Sequence, residues 1–303
     1  MNLEVKIGGL KLRNPVMTAS GTFGYGEEYS GFVDLNKLGA IVVKGISLKP
    51  MLGNPPPRIS ETPCGMLNAI GLQNVGLELF LKEKLPFLRK FDTRVIVNIL
   101  GNSLKEYQQI AEALDDAGID AIELNVSCPN VQKGGIMFGT DRKMLGQLIT
   151  GVKNTVKNTV LITKLSPTVS DIKEFAKTAE DSGSDAISLI NTIPGMSIDI
   201  NTRRPRLKNI TGGLSGPAIR PVAVRMVYEA YNAVKIPVIG MGGIMNADDA
   251  IEFFIAGASA IAVGTANFVN PEATTAILSG LIKYMERENI ERIGSLTGSL
   301  DIE

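Results

Sequence analysis

The sequence predicts an α/β fold, and more specifically a (β/α)8 TIM barrel, from the order and number of its apolar runs. Short runs rich in β-branched residues alternate with longer stretches of helical period, as in parallel sheets covered by helices. Eight such runs within about 250 residues fit a closed barrel better than a doubly wound sheet. They lie at residues 16–19, 40–43, 95–98, 121–124, 160–163, 186–190, 237–240 and 260–263.

The other elements follow in chain order. The first twelve residues alternate apolar and polar positions around a Gly-Gly pair, which predicts an N-terminal hairpin. Ser103 and Ser170 suit helix N-caps, and Gly118 and Gly183 suit helix C-terminal ends. No linker or low-complexity segment divides the chain, so residues 1–303 are predicted to form a single domain. Helical periodicity predicts helices at 75–90, 103–117, 141–156, 170–182, 217–234, 246–256 and 271–288.

Three links between the predicted elements are too long for simple turns. They span residues 45–73, 129–140 and 192–217, and each follows a predicted strand. In a barrel they therefore rise from the C-terminal face, where active sites are built. Because they hold many prolines and glycines, we expect ordered but irregular structure in them.

The composition excludes several classes of protein. The 31 basic residues balance the 31 acidic ones, which gives no electrostatic case for binding nucleic acid or anionic membranes. The first residues lack the apolar core of a signal peptide, and no apolar run approaches transmembrane length. Two cysteines make no disulfide framework, so we expect a cytoplasmic protein.

The chain contains no histidine. A Ser-His-Asp triad, a Cys-His pair and a histidine-ligated zinc are therefore excluded, and no metal site is predicted. Any proton transfer must use Cys, Lys, Tyr, Asp or Glu.

The polar cluster at 125–130 is the first candidate for chemistry. It follows an apolar run and presents two amides, a hydroxyl and a thiol, which a buried strand interior could not satisfy. The Cys128 thiol could act as a nucleophile or a base if its surroundings lower its pKa from about 8.5. The glycine-rich segment 133–139 behind it suits a lid. The alternative is that Cys128 is a small buried apolar residue.

Further polar groups end the other predicted strands and should meet at the same mouth. Lys44 and Lys164 stand at equivalent places, and two such lysines favour an anionic ligand; the alternative is that each reaches solvent at the rim. The other groups are Ser20, Gly45, Asn98, Asn125, Asn191 and Thr192.

Glycine pairs after the seventh and eighth strands predict a phosphate site. Gly242-Gly243 and Gly264-Thr265 stand where this barrel usually binds phosphate, and Asn246 suits the N-cap of the next helix. Phosphate, two lysines, amides and a thiol without metal ligands suit flavin mononucleotide (FMN). Pyridoxal phosphate, with Lys44 or Lys164 as the Schiff-base amine, is the alternative on chemistry alone.

A set of motifs spread over the whole chain resembles one known family. The motifs are NPVMTASGT (14–22), KG (44–45), GMLNAIGLQN (65–74), ELNVSCPNV (123–131), GGLSGPA (212–218) and GGI (242–244). Together they resemble the catalytic subunit of class 1 dihydroorotate dehydrogenases, flavoenzymes of de novo pyrimidine (UMP) biosynthesis.

The resemblance implies a set of roles. Cys128 would be the base that removes the C5 proton of dihydroorotate while hydride passes from C6 to flavin N5. FMN would be held by Ser20, Lys44, Gly45, Asn98, Asn125, Lys164, Ile190, Gly216, Gly242, Gly243, Gly264 and Thr265. Dihydroorotate would be held by Lys44, Asn68, Ala69, Ile70, Gly71, Leu72, Asn125, Asn191 and Thr192.

Segments 130–139 and 203–207 resemble the NAD-linked class 1B type. That type implies a homodimer associated with an electron-transfer subunit that carries FAD and a [2Fe–2S] cluster. The two cysteines of this chain cannot hold such a cluster, so it would be bound by the partner. The fumarate-linked class 1A homodimer is the alternative. Class 2 relatives use a serine base and carry an N-terminal membrane extension, which Cys128 and the short N-terminus argue against. Cys64, in the substrate loop, is interpreted as structural.

Two further alternatives come from other classes. A flavin-dependent tRNA dihydrouridine synthase would want a basic RNA-binding surface and an added helical domain. A non-catalytic phosphate-ligand barrel would explain the glycine turns but not Cys128 beside Asn125. A yellow protein that releases FMN would separate flavin-binding from colourless alternatives.

Overall fold

The computed structural model describes residues 1–126 and 138–302. Its strands are β1 (Val5–Ile7), β2 (Leu10–Leu12), β3 (Val16–Thr18), β4 (Ala40–Ile46), β5 (Ile59–Thr62), β6 (Gly65–Asn68), β7 (Arg94–Ile99), β8 (Ala121–Asn125), β9 (Val160–Lys164), β10 (Ala186–Leu189), β11 (Ile193–Met196), β12 (Ile198–Asp199), β13 (Arg204–Pro205), β14 (Thr211–Ser215), β15 (Val238–Gly240) and β16 (Ala260–Val263).

The α-helices are α1 (Gly76–Leu79), α2 (Leu85–Leu88), α3 (Leu104–Asp116), α4 (Arg142–Lys153), α5 (Ile172–Asp181), α6 (Arg220–Tyr231), α7 (Ala247–Ala256), α8 (Ala266–Val269) and α9 (Ala273–Arg287). A π-helical turn, Phe80–Lys84, joins α1 to α2. It lies just before Pro86, whose missing N–H breaks the regular ladder. Short 3₁₀ turns lie at Leu35–Lys37, Pro217–Ile219 and Ile293–Leu296. No helix in the described part of the chain is long and apolar enough to cross a bilayer.

Eight parallel strands close into a barrel in the order β3-β4-β7-β8-β9-β10-β15-β16. Each lies on one of the eight predicted runs, so the predicted (β/α)8 architecture is confirmed. The apolar side chains of these strands are almost all fully buried, because helices cover the outside and the barrel interior is filled by side chains. β1 and β2 form the predicted antiparallel hairpin.

The helix-end predictions hold with one exception. Ser103 accepts a hydrogen bond from the Glu106 N–H, as an N-cap does. The prediction for Ser170 is wrong: Asp171 caps α5, its carboxylate accepting from the Lys173 N–H. Aspartate and serine are nearly equal as N-caps, so pattern alone could not choose between adjacent candidates. Gly118 and Gly183 follow their helices with φ of +68° and +101°, as expected of C-terminal glycines.

Parts of two of the three long links are regular strands, which corrects the prediction of irregular structure for those parts. Residues of the 45–73 and 192–217 links pair into a four-stranded antiparallel sheet in the order β11-β14-β6-β5, here named the auxiliary sheet. Gly213 of β14 stands opposite Asn68 of β6. β6 and β14 contain glycines and pair across a long stretch of chain, so local alternation gave no sign of the sheet. Most of the 129–140 link lies outside the described residues.

Candidate active site

A lysine buried at the end of β9 is the centre of the site. The Lys164 residue is 5% exposed, so the alternative that it reaches solvent at the rim is wrong. Its Nζ donates a hydrogen bond to Ser20 Oγ at 3.0 Å and lies 3.9 Å from Glu123 Oε1. Ser20 follows β3, so the contact crosses the barrel mouth from one strand end to another. A cation held here is positioned to face an electron-rich ligand in the mouth.

Glu123 is the buried carboxylate that balances this lysine. It is 2% exposed, and its two oxygens accept hydrogen bonds from Asn98 Nδ2 at 2.6 Å and from Ser188 Oγ at 2.8 Å. Sequence reasoning treated Glu123 only as part of an apolar run. The pattern that could have identified it is strand parity: Glu123 and Asn125 lie two residues apart, so they share the inward face of β8.

Two amides extend the polar network toward the mouth. Asn98 is 1% exposed on β7, and Asn125 ends β8. Asn125 Nδ2 donates to Asn98 Oδ1 at 3.5 Å, while the Asn125 carbonyl accepts from the Tyr107 hydroxyl at 2.8 Å. In the barrel register, Asn125 stands beside Lys164. The structure therefore brings together four of the predicted residues, Ser20, Asn98, Asn125 and Lys164.

Lys44 occupies an irregular part of β4. The register of β4 against β7 shifts between Val43 and Ile46, which places Lys44 and Gly45 in a bulge. Glycine is required at 45, because a β-carbon there would lie 2.7 Å from Leu100 Cδ2 and 2.9 Å from Asn98 Oδ1. Bulges of this kind aim side chains at active sites.

The ammonium of Lys44 is half-buried beside a second cation. Burial lowers the pKa of Lys44 below its ordinary value; the positive charge of Arg58 lowers it further, and Glu28 opposes both. Arg58 is fixed by hydrogen bonds to the Asn54 carbonyl at 3.3 Å and to Gln73 Oε1 at 2.6 Å. Sequence reasoning did not single out Arg58, because it lies mid-link rather than at a strand end. Two neighbouring cations suit an anionic ligand.

The predicted phosphate turns adopt the backbone that glycine permits. Gly216, Gly242 and Gly243 have φ of +93°, +131° and +80°. A β-carbon at Gly243 would lie 2.7 Å from the Gly216 carbonyl oxygen, so the two turns are in contact. Thr265 donates its hydroxyl to Ser215 Oγ at 2.8 Å, which ties the turn after β16 to the same place.

Backbone donors remain available at these turns. The N–H groups of Gly242, Gly243, Gly264 and Thr265 make no hydrogen bond within residues 1–126 and 138–302. Clustered unpaired N–H groups suit a phosphate. Asn246 caps α7 as predicted, in a capping box with Asp249. The side chains of these two residues therefore already accept hydrogen bonds from N–H groups at the start of α7. A phosphate would therefore be bound by the glycine turns rather than by α7.

The predicted substrate residues converge through the auxiliary sheet. Asn68 Nδ2 donates to the Gly213 carbonyl at 3.3 Å, and a β-carbon at Gly213 would meet the Thr192 side chain. Residues 68–72 and 191–192 therefore lie at the ends of β6 and β11, the two strands that flank β14. Asn191 Oδ1 accepts the Thr192 N–H at 2.8 Å. The other members are Ala69, Ile70, Gly71 and Leu72, of which Leu72 has a φ of +60°.

Ile190 is buried, and its N–H donates to the Met241 carbonyl at 2.9 Å, which joins β10 to the turn after β15. Cys128 lies outside the described residues, and its role stays a prediction.

Comparison with known proteins identifies the family. A family model described as dihydroorotate dehydrogenase matches residues 2–285. The chain belongs to the dihydroorotate dehydrogenase family. Among similar proteins, a dihydroorotate dehydrogenase B (NAD(+)) catalytic subunit from Thermoanaerobacter sp. (strain X514) is 58% identical over 303 residues, covering 100% of both chains. One of the same name from Thermodesulfovibrio yellowstonii is 59% identical over 98% of each chain.

A solved structure supports the fold of this dihydroorotate dehydrogenase family member. The crystal structure of DHODH from Eimeria tenella in complex with ferulenol superposes with a TM-score of 0.82, covering 98% of this chain and 88% of that one at 24% identity. Family membership confirms the resemblance stated from the motifs. The tRNA dihydrouridine synthase and non-catalytic barrel alternatives are therefore wrong.

Proposed function

We propose that this protein is the catalytic subunit of an NAD-linked dihydroorotate dehydrogenase, an oxidoreductase of de novo pyrimidine biosynthesis. It oxidises dihydroorotate to orotate and passes the electrons through FMN and a separate subunit to NAD+. The observation that carries the proposal is the buried Lys164 ammonium at a barrel mouth whose glycine turns keep unpaired N–H groups in the described residues. The relatives' shared name, class B and NAD+-linked, supports this type over the fumarate-linked class 1A.

FMN fits the residues of the mouth. Its phosphate would be held by Gly242, Gly243, Gly264 and Thr265, whose N–H groups are available as donors. Its ring would be lined by Ser20, Lys44, Gly45, Asn98, Asn125, Lys164, Ile190 and Gly216. When bound, FMN supplies a two-electron acceptor for the substrate hydride. Membership of the dihydroorotate dehydrogenase family favours the flavin over pyridoxal phosphate.

Dihydroorotate would lie against the flavin within reach of the auxiliary sheet. Its carboxylate would pair with Lys44, and its ring amides would meet Asn68, Asn125, Asn191 and Thr192, with residues 69–72 completing the wall. Cys128 would take the C5 proton as a thiolate, which is basic enough at neutral pH to act as a general base. The net charge of zero and this small polar site give no case for nucleic acid or membrane as substrate.

The decisive experiment is anaerobic reduction. The purified protein should be yellow, release FMN on denaturation and bleach when dihydroorotate is added without oxygen. A colourless protein that cannot be reconstituted with FMN would contradict the proposal, and a flavoprotein that dihydroorotate cannot reduce would contradict the substrate.

We propose that residues 1–303 form a single domain that assembles as a homodimer with the electron-transfer subunit in the cytoplasm. The main apolar core of the described residues runs from Val5 to Leu296, which supports the single domain. FAD and the [2Fe–2S] cluster belong to the partner, because two cysteines are too few for a cluster. Exposed apolar side chains on and beside the auxiliary sheet supply a surface that a subunit contact would bury: Ile59, Met196, Ile198, Ile200 and Ile210.

Co-purification tests this assembly. Tagged protein expressed with its candidate partner should retain a flavin and iron–sulfur subunit and gain NAD+ reduction. The same protein alone should reduce FMN but not NAD+. Direct NAD+ reduction by the isolated chain would contradict the proposal that the partner subunit reduces NAD+.

Orotate affinity should fall at alkaline pH because of Lys44. Burial lowers its pKa below the ordinary 10.5, with Arg58 lowering it further and Glu28 opposing. The protonated ammonium pairs with the orotate carboxylate, so affinity is kept at neutral pH and lost as pH rises through the lowered pKa. Flavin absorbance titrations from neutral pH to about pH 10 measure it. Lys44→Met should bind weakly with a flat profile; an equally steep profile would assign the titration to another group.

A further inference from the structure

The buried carboxylate of Glu123 has no part in the proposed oxidation of dihydroorotate. Its oxygens are taken up by Asn98 Nδ2 and Ser188 Oγ, and Oε1 lies 3.9 Å from Lys164 Nζ. At 2% exposure it cannot be solvated. A charge so deeply buried is retained in a fold only when paired and hydrogen-bonded, as this one is.

The carboxylate fixes the charge of the site. Lys164 is buried too, and its described partners are the neutral Ser20 hydroxyl and Glu123. Without Glu123 the ammonium would stand as an uncompensated cation in the barrel mouth. The carboxylate and the ammonium, 3.9 Å apart, together bring the local charge close to zero.

The same carboxylate fixes the orientation of Asn98. Because Asn98 donates its Nδ2 protons toward Glu123, its Oδ1 is left to face Asn125 Nδ2 at the mouth. A neutral group without an acceptor oxygen at this place would let the Asn98 amide rotate. Two of the residues that would line the flavin ring, Lys164 and Asn98, are thus held by one side chain.

We propose that Glu123 is a positioning residue that sets the redox potential of the flavin through Lys164 and Asn98. The proposal rests on the proposed FMN site. The Glu123 carboxylate partly offsets the positive charge of Lys164, which would face the flavin. Removing the carboxylate should therefore favour the more negatively charged reduced form.

The test compares two variants of the FMN-loaded protein. Glu123→Gln removes the charge but keeps an acceptor oxygen for Asn98, and its amide can donate to the Ser188 hydroxyl. It should raise the two-electron midpoint potential by about 30 mV, a tenfold change in the reduced-to-oxidised ratio. Ser188→Ala, the matched control, removes one hydrogen bond and keeps the charge, so it should leave the potential unchanged.

A second measurement needs no flavin. Thermal unfolding of the FMN-free protein should show a lower midpoint for Glu123→Gln, and adding Lys164→Met to that variant should raise the midpoint again, since the unpaired cation is gone. If Glu123→Gln fails to fold, recovery of folding in the double variant supports the charge pairing, and failure of both overturns it.

The outcomes separate this inference from the proposed function. Parent and Glu123→Gln proteins that both hold FMN at equal potentials would overturn the role of Glu123 alone. A shift of equal size in Ser188→Ala would assign the effect to general disturbance of the core and would also overturn it. A parent protein that binds no FMN would overturn the proposed function and, with it, the role toward the flavin.

Discussion

Cys128→Ser should retain FMN yet lower dihydroorotate oxidation at neutral pH by about 10²- to 10⁴-fold, the usual contribution of a general base. A serine hydroxyl holds its proton far more tightly than a thiol, so it is a much poorer base near pH 7. The residual activity should rise steadily with pH, because hydroxide or ionised serine then takes the proton. Anaerobic stopped-flow reduction of the bound flavin measures the affected step directly.

The chain supplies its own control for this variant. Cys64 is exposed in the turn between β5 and β6, so Cys64→Ser changes the other thiol without touching the proposed base. Its flavin reduction rate should match the parent. Unchanged reduction in Cys128→Ser would remove Cys128 from its role, and a large loss in Cys64→Ser would point to the wrong thiol.

Lys164→Met should weaken FMN binding by about ten- to a hundredfold and destabilise the protein. The variant removes a charged hydrogen-bond donor, worth about 1.5–3 kcal/mol, which converts to that range of affinity. It also leaves Glu123 buried without its cation, and breaking a buried pair costs about 3–5 kcal/mol of folding free energy. FMN fluorescence titration and thermal unfolding measure the two effects separately.

Lys173→Met is the matched control for Lys164→Met. Lys173 lies 3.8 Å from Asp171 in an exposed pair, and such pairs contribute little to stability. This variant should bind FMN like the parent and unfold near the parent temperature. Equal FMN affinity in Lys164→Met and Lys173→Met would contradict the place given to Lys164 in the flavin site.

The barrel was predictable from sequence because its strands are local, contiguous and apolar. Strand ends also predicted the mouth, since parallel strands bring their C-terminal residues together; Ser20, Asn98, Asn125 and Lys164 do meet there. Glu123 was missed because a single charged residue inside an apolar run does not by itself indicate a site. Its importance becomes clear only when it is placed on the inward face of β8. Arg58 was missed because its neighbour Lys44 is brought near by the fold rather than by the sequence.

The auxiliary sheet could not be predicted for a different reason. Its inner strands, β6 and β14, are separated in sequence by four of the eight barrel strands, and their glycines carry no alternating hydrophobic pattern. The N-cap of α5 could not be predicted for yet another reason. Ser170 and Asp171 are both good N-cap residues and are adjacent, so only the backbone geometry decides between them.

The pairing of β6 with β14 constrains how the two links can change in length. Gly213, Leu214 and Ser215 stand opposite Asn68, Leu67 and Met66 in a fixed register. Adding or deleting one residue within either strand would turn Asn68 and its neighbours to the opposite face. Surface loops ordinarily accept insertions, but here an inserted residue is expected to be tolerated only in the loops outside the paired residues of β6 and β14. Chimaeras built by exchanging these links should therefore swap both together.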